Sequence, residues 1–336
     1  MKIGIIGAGL QGKRRARVLK QFNDTELILV ADANLTTAKS LADSMECKAT
    51  ANWEDVIALN DLDVIIICTP PNTHAAISIA ALEQGKHVLC EKPLARTVDE
   101  ATQMVAAARK NAVKLKSGFN LRHHSGIQQV KKWFDEGLIG TPTFIRCRYG
   151  IGGRPGYERD WRMNPEISGG GQLMDQGMHA LDLARWFLGD FSEVFGMLET
   201  AYWDIAPIED NAFVLLRTEK GQVASLHASW SEWKNLFSFE IFGKDGYATV
   251  EGLGGSYGVE KAIIGKRAFL MPFKEEIIEF RGEDLSWQRE WEEFVRAIKD
   301  NSEPLGNGLD GLQALMLAEA IYDSVRKECV VRLKDR

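Results

Sequence analysis

Between residues 2 and 119 the chain alternates short apolar runs with helical stretches, and few folds accept that pattern. "KIGIIG" precedes "LQGKRRARVLKQF", "ELILVAD" precedes "LTTAKSLADSM", and "DVIIICT" precedes "THAAISIAALEQG". "HVLC" then precedes "TVDEATQMVAAARKN", and "VKLKSGF" closes the series. Runs that are apolar throughout, such as Val64–Cys68, suit strands covered on both faces. Their regular alternation with helices predicts a doubly wound parallel sheet.

The pattern changes after about Asn120. A helix over "GIQQVKKWFDEGLIG" leads into "TPTFIRCRYG" and a glycine-rich loop, "IGGRPG", and a further helix is expected over roughly Gln172–Leu188. The runs "FVLLRTEKGQVASLHASW" and "FSFEIFGKDGYATVEG" each contain a tight-turn signal and read as antiparallel hairpins. Helices near 285–299 and 311–328 finish the chain. At 336 residues two domains are expected, 1–120 and 121–336, the first a parallel α/β sheet and the second α+β with a mainly antiparallel sheet.

Bulk properties exclude several classes. A formal charge of −6 offers no electrostatic reason to bind nucleic acid or an anionic membrane. "LDVIIIC" is too short to span a bilayer, and "KIGIIGAG" is broken by glycine too early for a signal peptide. Cys47, Cys68, Cys90, Cys147 and Cys329 are odd in number, scattered and never spaced as CxxC. They read as reduced, mostly buried thiols of a cytoplasmic protein, without a zinc site.

"GAGLQG" brings Gly7, Gly9, Leu10, Gln11 and Gly12 to the turn between the first strand and the first helix, in G-x-G-x-x-G spacing. Gly7 permits the tight turn, Gly9 lets backbone approach a pyrophosphate, and Gly12 allows close helix–strand packing, while free helix-start amides hold the anion. "GLGGSYG" at 252–258 is equally glycine-rich, but its spacing is wrong and no helix follows. Asp32 ends the second apolar run 20 positions after Gly12, where a carboxylate accepts from the adenosine ribose hydroxyls and repels a 2′-phosphate. NAD is therefore favoured over NADP, although Arg14 and Arg15 near the same edge soften that preference.

The string "CTPPNTHAAISIAALEQGKHVLCEKPLA" parks Glu91, Lys92 and Pro93 at the carboxyl end of an apolar strand, where open α/β sheets bind ligands. Glu91 offers Lys92 a partner charge, and the Lys92–Pro93 bond is a candidate cis peptide. With Thr73–His74, Gly85–Lys86 and Glu91–Lys92–Pro93, this string closely resembles the glucose–fructose oxidoreductase / inositol dehydrogenase / rhizopine-catabolism (Gfo/Idh/MocA) superfamily of NAD(P)-dependent oxidoreductases. The resemblance continues in "WRMNPEISGGGQLMDQGMHALDLARWFLG" and spans essentially the whole chain.

The resemblance implies a Rossmann domain followed by an α+β domain whose large open sheet commonly makes oligomer contacts, here a homodimer or homotetramer. It implies Lys92, Asp175 and His179 as the catalytic set. Asp175 and His179 lie four apart on a predicted helix, so both project from one face, and Asp182 continues that face. From the residues alone, an acid–base pair, a metal site and a buttressed structural cluster all remain open. A metal site wants more ligands than one histidine and two carboxylates on one helix, so none is expected.

Further cofactor contacts implied by the resemblance are Thr69, Pro70, Asn72, His74 and Glu91, with Lys92. Asn120 and Arg122 line the substrate site or form a plain connection, and Trp161 and Arg162 match the family's Trp-Arg pair near nicotinamide and substrate. Arg154, Tyr157 and Arg159 lie on a loop that either folds over substrate or stays polar and mobile, and the arginines lean slightly toward an anionic substrate. His227, Trp230 and Trp233 either stack on a sugar or pack the sheet, packing being favoured. The expected activity is hydride transfer between NAD and a secondary alcohol of a sugar, cyclic polyol or nucleotide sugar. Redox-assisted glycoside cleavage and a non-catalytic sensor are the alternatives.

Overall fold

The run Val64–Ile67 becomes a strand buried at every position, which explains why no polar residue interrupts it. In the computed structural model, which describes residues 1–270, 272 and 274–333, it lies at the centre of a six-stranded parallel sheet. The first unit comprises residues 1–119 with 287–315, and the second comprises 120–286 with 316–336.

In the first unit, β1 (Lys2–Ile6), β2 (Glu26–Ala31), β3 (Lys48–Thr50), β4 (Val64–Ile67), β5 (His87–Cys90) and β6 (Leu115–Ser117) run in the order β3-β2-β1-β4-β5-β6. This is the Rossmann order, and its reversal point lies between β1 and β4, where such sheets bind ligand. The intervening helices are α1 (Leu10–Leu19), α2 (Leu35–Met45), α3 (Trp53–Ile57), α4 (His74–Glu83) and α5 (Val98–Lys110). Local chemistry starts several of them. Asn34 Oδ1 caps α2 by accepting from the amides of Thr36 and Thr37. Thr97 caps α5 at the Glu100 amide, and the Glu100 carboxylate returns to the Arg96 amide.

In the second unit, α6 (Ser125–Asp135) leads into β7 (Pro142–Gly150), followed by a short α7 (Pro165–Ser168) and α8 (Met178–Leu188). Then come β8 (Phe191–Glu199), β9 (Asn211–Thr218), β10 (Val223–Ser229), β11 (Leu236–Gly243), β12 (Gly246–Glu251), β13 (Glu260–Lys266) and β14 (Glu275–Phe280). The hairpins β9–β10 and β11–β12 form where the turn signals place them. What the turns do not announce is β7, which inserts between β11 and β10 and pairs in parallel with β10. Burial in β9 alternates along its length, as a sheet with one covered face requires. Phe144, Phe213 and Leu215 are exposed on the other face.

The chain closes with α9 (Ser286–Lys299), α10 (Gly308–Lys327) and β15 (Val331–Arg332), which pairs with β8 to complete a nine-stranded sheet. The expected second domain of 121–336 is divided by α9. Trp287, Trp291, Phe294 and Val295 recur at helical spacing and enter the core of the first unit beside Ile3, Ile5 and Val30. Among the described residues, no helix is long and apolar enough to cross a membrane.

Candidate active site

The turn after β1 is built by contact. A Cβ on Gly7, whose φ is +98°, would lie 2.6 Å from the Cys68 carbonyl carbon, and one on Gly12 would overlap the Gly7 carbonyl oxygen. A Cβ on Gly9 would meet nothing within 4 Å. No side chain caps α1, so the amides of its first turn are left for an anion in that open space. Asp32 braces the turn by accepting from the amides of Ala8 (2.8 Å) and Asn34 (2.9 Å), one on each carboxylate oxygen. These residues fit a dinucleotide: glycines where backbone must approach, uncapped amides for the pyrophosphate, and an oriented carboxylate for the ribose. Leu10 is exposed and Gln11 half-buried on the same first turn, and Gln11 accepts from Arg14.

Arg15 is withdrawn from that edge. Its Nε donates to Glu91 at 2.8 Å, its Nη1 pairs with Glu290, and its guanidinium lies 4.4 Å from the centre of the Trp287 ring. Burial alone would lower its pKa, but Glu290 and Glu91 hold it above the ordinary value. Arg14 lies over the same ring at 4.8 Å. The anticipated softening of the NAD preference by Arg15 therefore does not arise.

At the carboxyl end of β4, Thr69 and Pro70 are half-buried and Asn72 is exposed. His74 is 1% exposed, its Nε2 lies 2.8 Å from the Thr69 carbonyl oxygen, and its Nδ1 lies 2.9 Å from that of Pro93. Burial depresses its pKa against the pull of those carbonyls and of Glu91. His74 thus ties the loop after β4 to the loop after β5. Glu91 likewise turns inward and pairs with the buried Arg15. Lys92 is half-buried at the end of β5, and the Lys92–Pro93 bond is cis.

In the second unit, the expected single helix over Gln172–Leu188 begins instead as a π-turn, Leu173–Gly177, with the Gly177 amide reaching back to the Gln172 carbonyl at 3.0 Å. Asp175 is half-buried inside this turn, and His179, 5% exposed, lies in the first turn of α8. Such single π-turns are frequent at functional sites. Around them stand residues the sequence reading passed over. The Tyr149 ring centre is 6.1 Å from that of His179 and 5.7 Å from that of Tyr257. The two phenols are hydrogen-bonded, and Gln176 Nε2 donates to the Tyr257 hydroxyl at 3.2 Å. Burial is the largest cause holding both phenols above their usual pKa, and Asp175 adds to it. Tyr257 sits in the "GLGGSYG" loop, 252–258.

The loop between β7 and α7, read in sequence as either folding over substrate or staying polar and mobile, is anchored through Tyr157. Tyr157 stacks on Trp230 at 5.4 Å and meets Trp203 edge-on, and its phenol is pushed up to about 12 by burial, with Asp175 adding. Trp161 is exposed, with the Arg162 guanidinium 4.6 Å from its ring centre. Asp160 accepts from both Arg162 (2.9 Å) and Arg154 (3.3 Å), and Asp175 acts on Arg162 through charge. Of the remaining aromatics, Trp230 is core, His227 stacks on Phe213 at 4.2 Å, and Trp233 is fully exposed.

Arg122 and Asn120, expected to line the substrate site or form a plain connection, both have partners within the second unit. Arg122 forms a buried bidentate pair with Asp182, at 2.8 and 2.6 Å. Asn120 is buried and donates to Ser286 Oγ at 3.0 Å. Among the described residues, no cluster of three or more His, Cys, Asp or Glu could hold a metal ion.

Residues 1–119 match the oxidoreductase family with an NAD-binding Rossmann fold, and residues 127–249 match the GFO/IDH/MocA C-terminal domain. The chain is 28% identical to myo-inositol 2-dehydrogenase of Thermotoga maritima, over 100% of this chain and 99% of that one. It is 27% identical to levoglucosan dehydrogenase of Pseudarthrobacter phenanthrenivorans, covering 98% and 97%. A solved levoglucosan dehydrogenase in complex with NADH superposes with a TM-score of 0.91, at 26% identity and 99% coverage of both chains. Two consecutive domain matches, in the order that the Gly7–Gly12 turn and the Asp175–His179 segment require, make this chain a member of the Gfo/Idh/MocA oxidoreductase superfamily, with an NAD-binding Rossmann domain at its N-terminus.

Proposed function

We propose that this protein is an NAD-dependent dehydrogenase acting on a secondary alcohol of an uncharged cyclic polyol or sugar, with Lys92, Asp175 and His179 as its catalytic residues. The observation that carries the reading is the cluster around His179. An imidazole is buried beside the hydroxyl-rich pair Tyr149–Tyr257, with Asp175 one turn before it. Such a set offers many neutral donors and acceptors and an imidazole able to exchange a proton.

Charge supports an uncharged substrate over a phosphate or nucleotide sugar. Arg154 and Arg162 are both engaged by acidic groups, Asp160 pairing with each and Asp175 acting on Arg162, which weakens the case for either as a phosphate ligand. The relatives named for inositol and levoglucosan agree, since neither compound is charged.

NAD, when bound, supplies the hydride acceptor or donor. The chain's residues manage the proton and the developing charge. His179 takes the hydroxyl proton during oxidation and returns it during reduction. Lys92, as an ammonium, donates a hydrogen bond to the same oxygen and stabilises alkoxide character. Asp175 orients the substrate through a hydroxyl. The exposed face carrying Phe144, Phe213 and Leu215 supports a dimer or tetramer within the same reading.

The test follows absorbance at the NADH wavelength across inositols, aldoses, sugar phosphates and UDP-sugars, with NAD and NADP in parallel. Reduction of NAD by an uncharged polyol or sugar is expected. His179→Ala and Lys92→Ala should each lower turnover by roughly 10²–10⁴-fold. Preference for the phosphorylated or UDP-linked compounds would overturn the substrate class, and full turnover in both variants would overturn the catalytic set.

A further inference from the structure

Helix starts leave backbone amides without partners, and those ahead of the Asp175 turn are satisfied in an unusual way. The amides of Gly171 and Leu173 both donate to Glu209 Oε1, each at 3.1 Å, and the amide between them, from Gln172, donates to the Glu209 carbonyl oxygen at 3.0 Å. Three consecutive amides therefore end on one residue. Gln172, at the cap position, contributes no side-chain cap of its own. Glu209 is 6% exposed, and the Tyr322 hydroxyl, from α10, donates to the same Oε1 at 2.8 Å.

We infer that Glu209, held by Tyr322, is a positioning residue that sets the π-turn carrying Asp175 and, one turn on, His179. The inference rests on the assignment of those two residues as catalytic. Space says the same as the hydrogen bonds. A Cβ on Gly171 would overlap the Glu209 carbonyl oxygen and lie 2.7 Å from its Cδ, and one on Gly170 would overlap the Tyr322 hydroxyl. The run "GGG" is thus the imprint of a close approach by another part of the chain.

Glu209 is itself anchored. The next residue, Asp210, turns its carboxylate the other way and accepts from the amides of Ala201 and Tyr202 at 2.8 Å and of Trp203 at 2.9 Å. Asn211 then begins β9. A side chain rooted between that bracket and a strand is a fixed post. Burial and the neighbouring Glu209 keep the Tyr322 phenol far above its usual pKa, so it remains a donor.

A displacement of about 1 Å in a catalytic group costs on the order of 10²-fold in rate. Glu209→Ala is expected to lower kcat about 10²-fold while the Kd for NAD, measured by fluorescence titration, stays within about twofold. Glu209→Gln keeps the oxygen that accepts from the two amides and should recover kcat to within about fivefold. Gly171→Ala, which pushes on the post from the other side, should lose kcat like Glu209→Ala. The His179 imidazole resonances in the NMR spectrum, assigned by their disappearance in His179→Ala, should move in Glu209→Ala and in Gly171→Ala but hardly in Glu209→Gln.

Wild-type kcat and unmoved resonances in a folded Glu209→Ala would overturn the inference, as would a Glu209→Gln variant as impaired as the alanine. If Glu209→Ala does not fold, Glu209→Gln and Gly171→Ala decide alone, and Gly171→Ala with wild-type kcat and resonances refutes it. His179→Ala, run beside them, separates the two levels. Full activity there removes the catalytic assignment, whereas an inactive His179→Ala beside a fully active Glu209→Ala removes only the role of Glu209.

Discussion

Arg15 is the cation on which a buried cluster depends, and replacing it with methionine tests that directly. Its side chain is 2% exposed and faces Glu91 (9%) and Glu290 (0%), while Lys116 (0%) pairs with Glu293 nearby. The cluster therefore holds two cations against three carboxylates, and Arg15→Met leaves one against three. Breaking a buried pair by removing one partner costs about 3–5 kcal/mol, because the other charge stays buried without compensation. Loss of the guanidinium over Trp287 adds about 0.5–2 kcal/mol. A loss of about 4 kcal/mol or more at pH 7.5 is expected, a large share of the 5–15 kcal/mol that holds typical domains.

The variant also carries its own control in pH. In the native protein burial already raises the Glu290 pKa against the pull of Arg15, and without Arg15 the pKa rises further. A carboxyl whose folded pKa lies above its unfolded value binds more protons when folded, so folding is penalised as pH rises above the unfolded value of about 4.3. The deficit of Arg15→Met must therefore shrink as pH falls from 7.5 to 5.5. Urea unfolding followed by tryptophan fluorescence at both pH values measures it. A deficit below about 1 kcal/mol at pH 7.5, or one that does not narrow at pH 5.5, refutes the reasoning.

Three further outcomes follow from particular contacts. His87 Nδ1 accepts from the Lys114 amide at 2.9 Å and burial lowers the ring's pKa, so the folded state keeps it neutral. Its contribution is whole above the unfolded pKa of about 6.5 and falls away as pH drops through that value toward the lower folded pKa. His87→Gln should accordingly lose less stability than wild type between pH 7.5 and 5.5, and identical losses in urea titrations would contradict this. Ellman's reagent at pH 8 should label one thiol quickly in the native protein, Cys329, and none quickly in Cys329→Ser. Burial pushes Cys47 up to about 11 and Cys147 up to about 12 and raises Cys68 and Cys90 as well, so a second fast thiol would be inconsistent. Gly12→Ala drives a methyl into the Gly7 carbonyl oxygen, which is backbone and cannot move aside, and should weaken NAD binding at least tenfold in a fluorescence titration.

The first unit was legible because its signals are local. Apolar runs of strand length, helices between them, Gly7–Gly12 and Asp32 all lie within one βαβ stretch, and each is interpretable from its neighbours. The unit to which α9 belongs is not legible for the opposite reason: Trp287, Trp291 and Phe294 declare an apolar helix face but not which core receives it. The site residues divide the same way. Lys92 announces itself by standing at a strand end before proline. His74, Glu91 and Arg122 carry equally reactive groups, and nothing in their local sequence announces that they meet Pro93, Arg15 and Asp182. Such partners lie outside the local string and are not legible in it.

Glycine shows the point most sharply. "GAGLQG" and "SGGGQ" are similar strings ahead of helices, and in both the absent side chains make room for something. At Gly9 that space is open, which is what a ligand requires. At Gly171 it is filled by Glu209, 38 residues away in sequence, and at Gly170 by Tyr322. A glycine run therefore reports a close approach without saying whether a ligand or the chain itself makes it. The amides resolve the ambiguity: those of the α1 start have no side-chain cap, whereas three in a row before Asp175 end on Glu209. A motif that looks like a binding loop can thus be a turn pinned from inside, and on the proposed function its part would be to hold Asp175 and His179 in place.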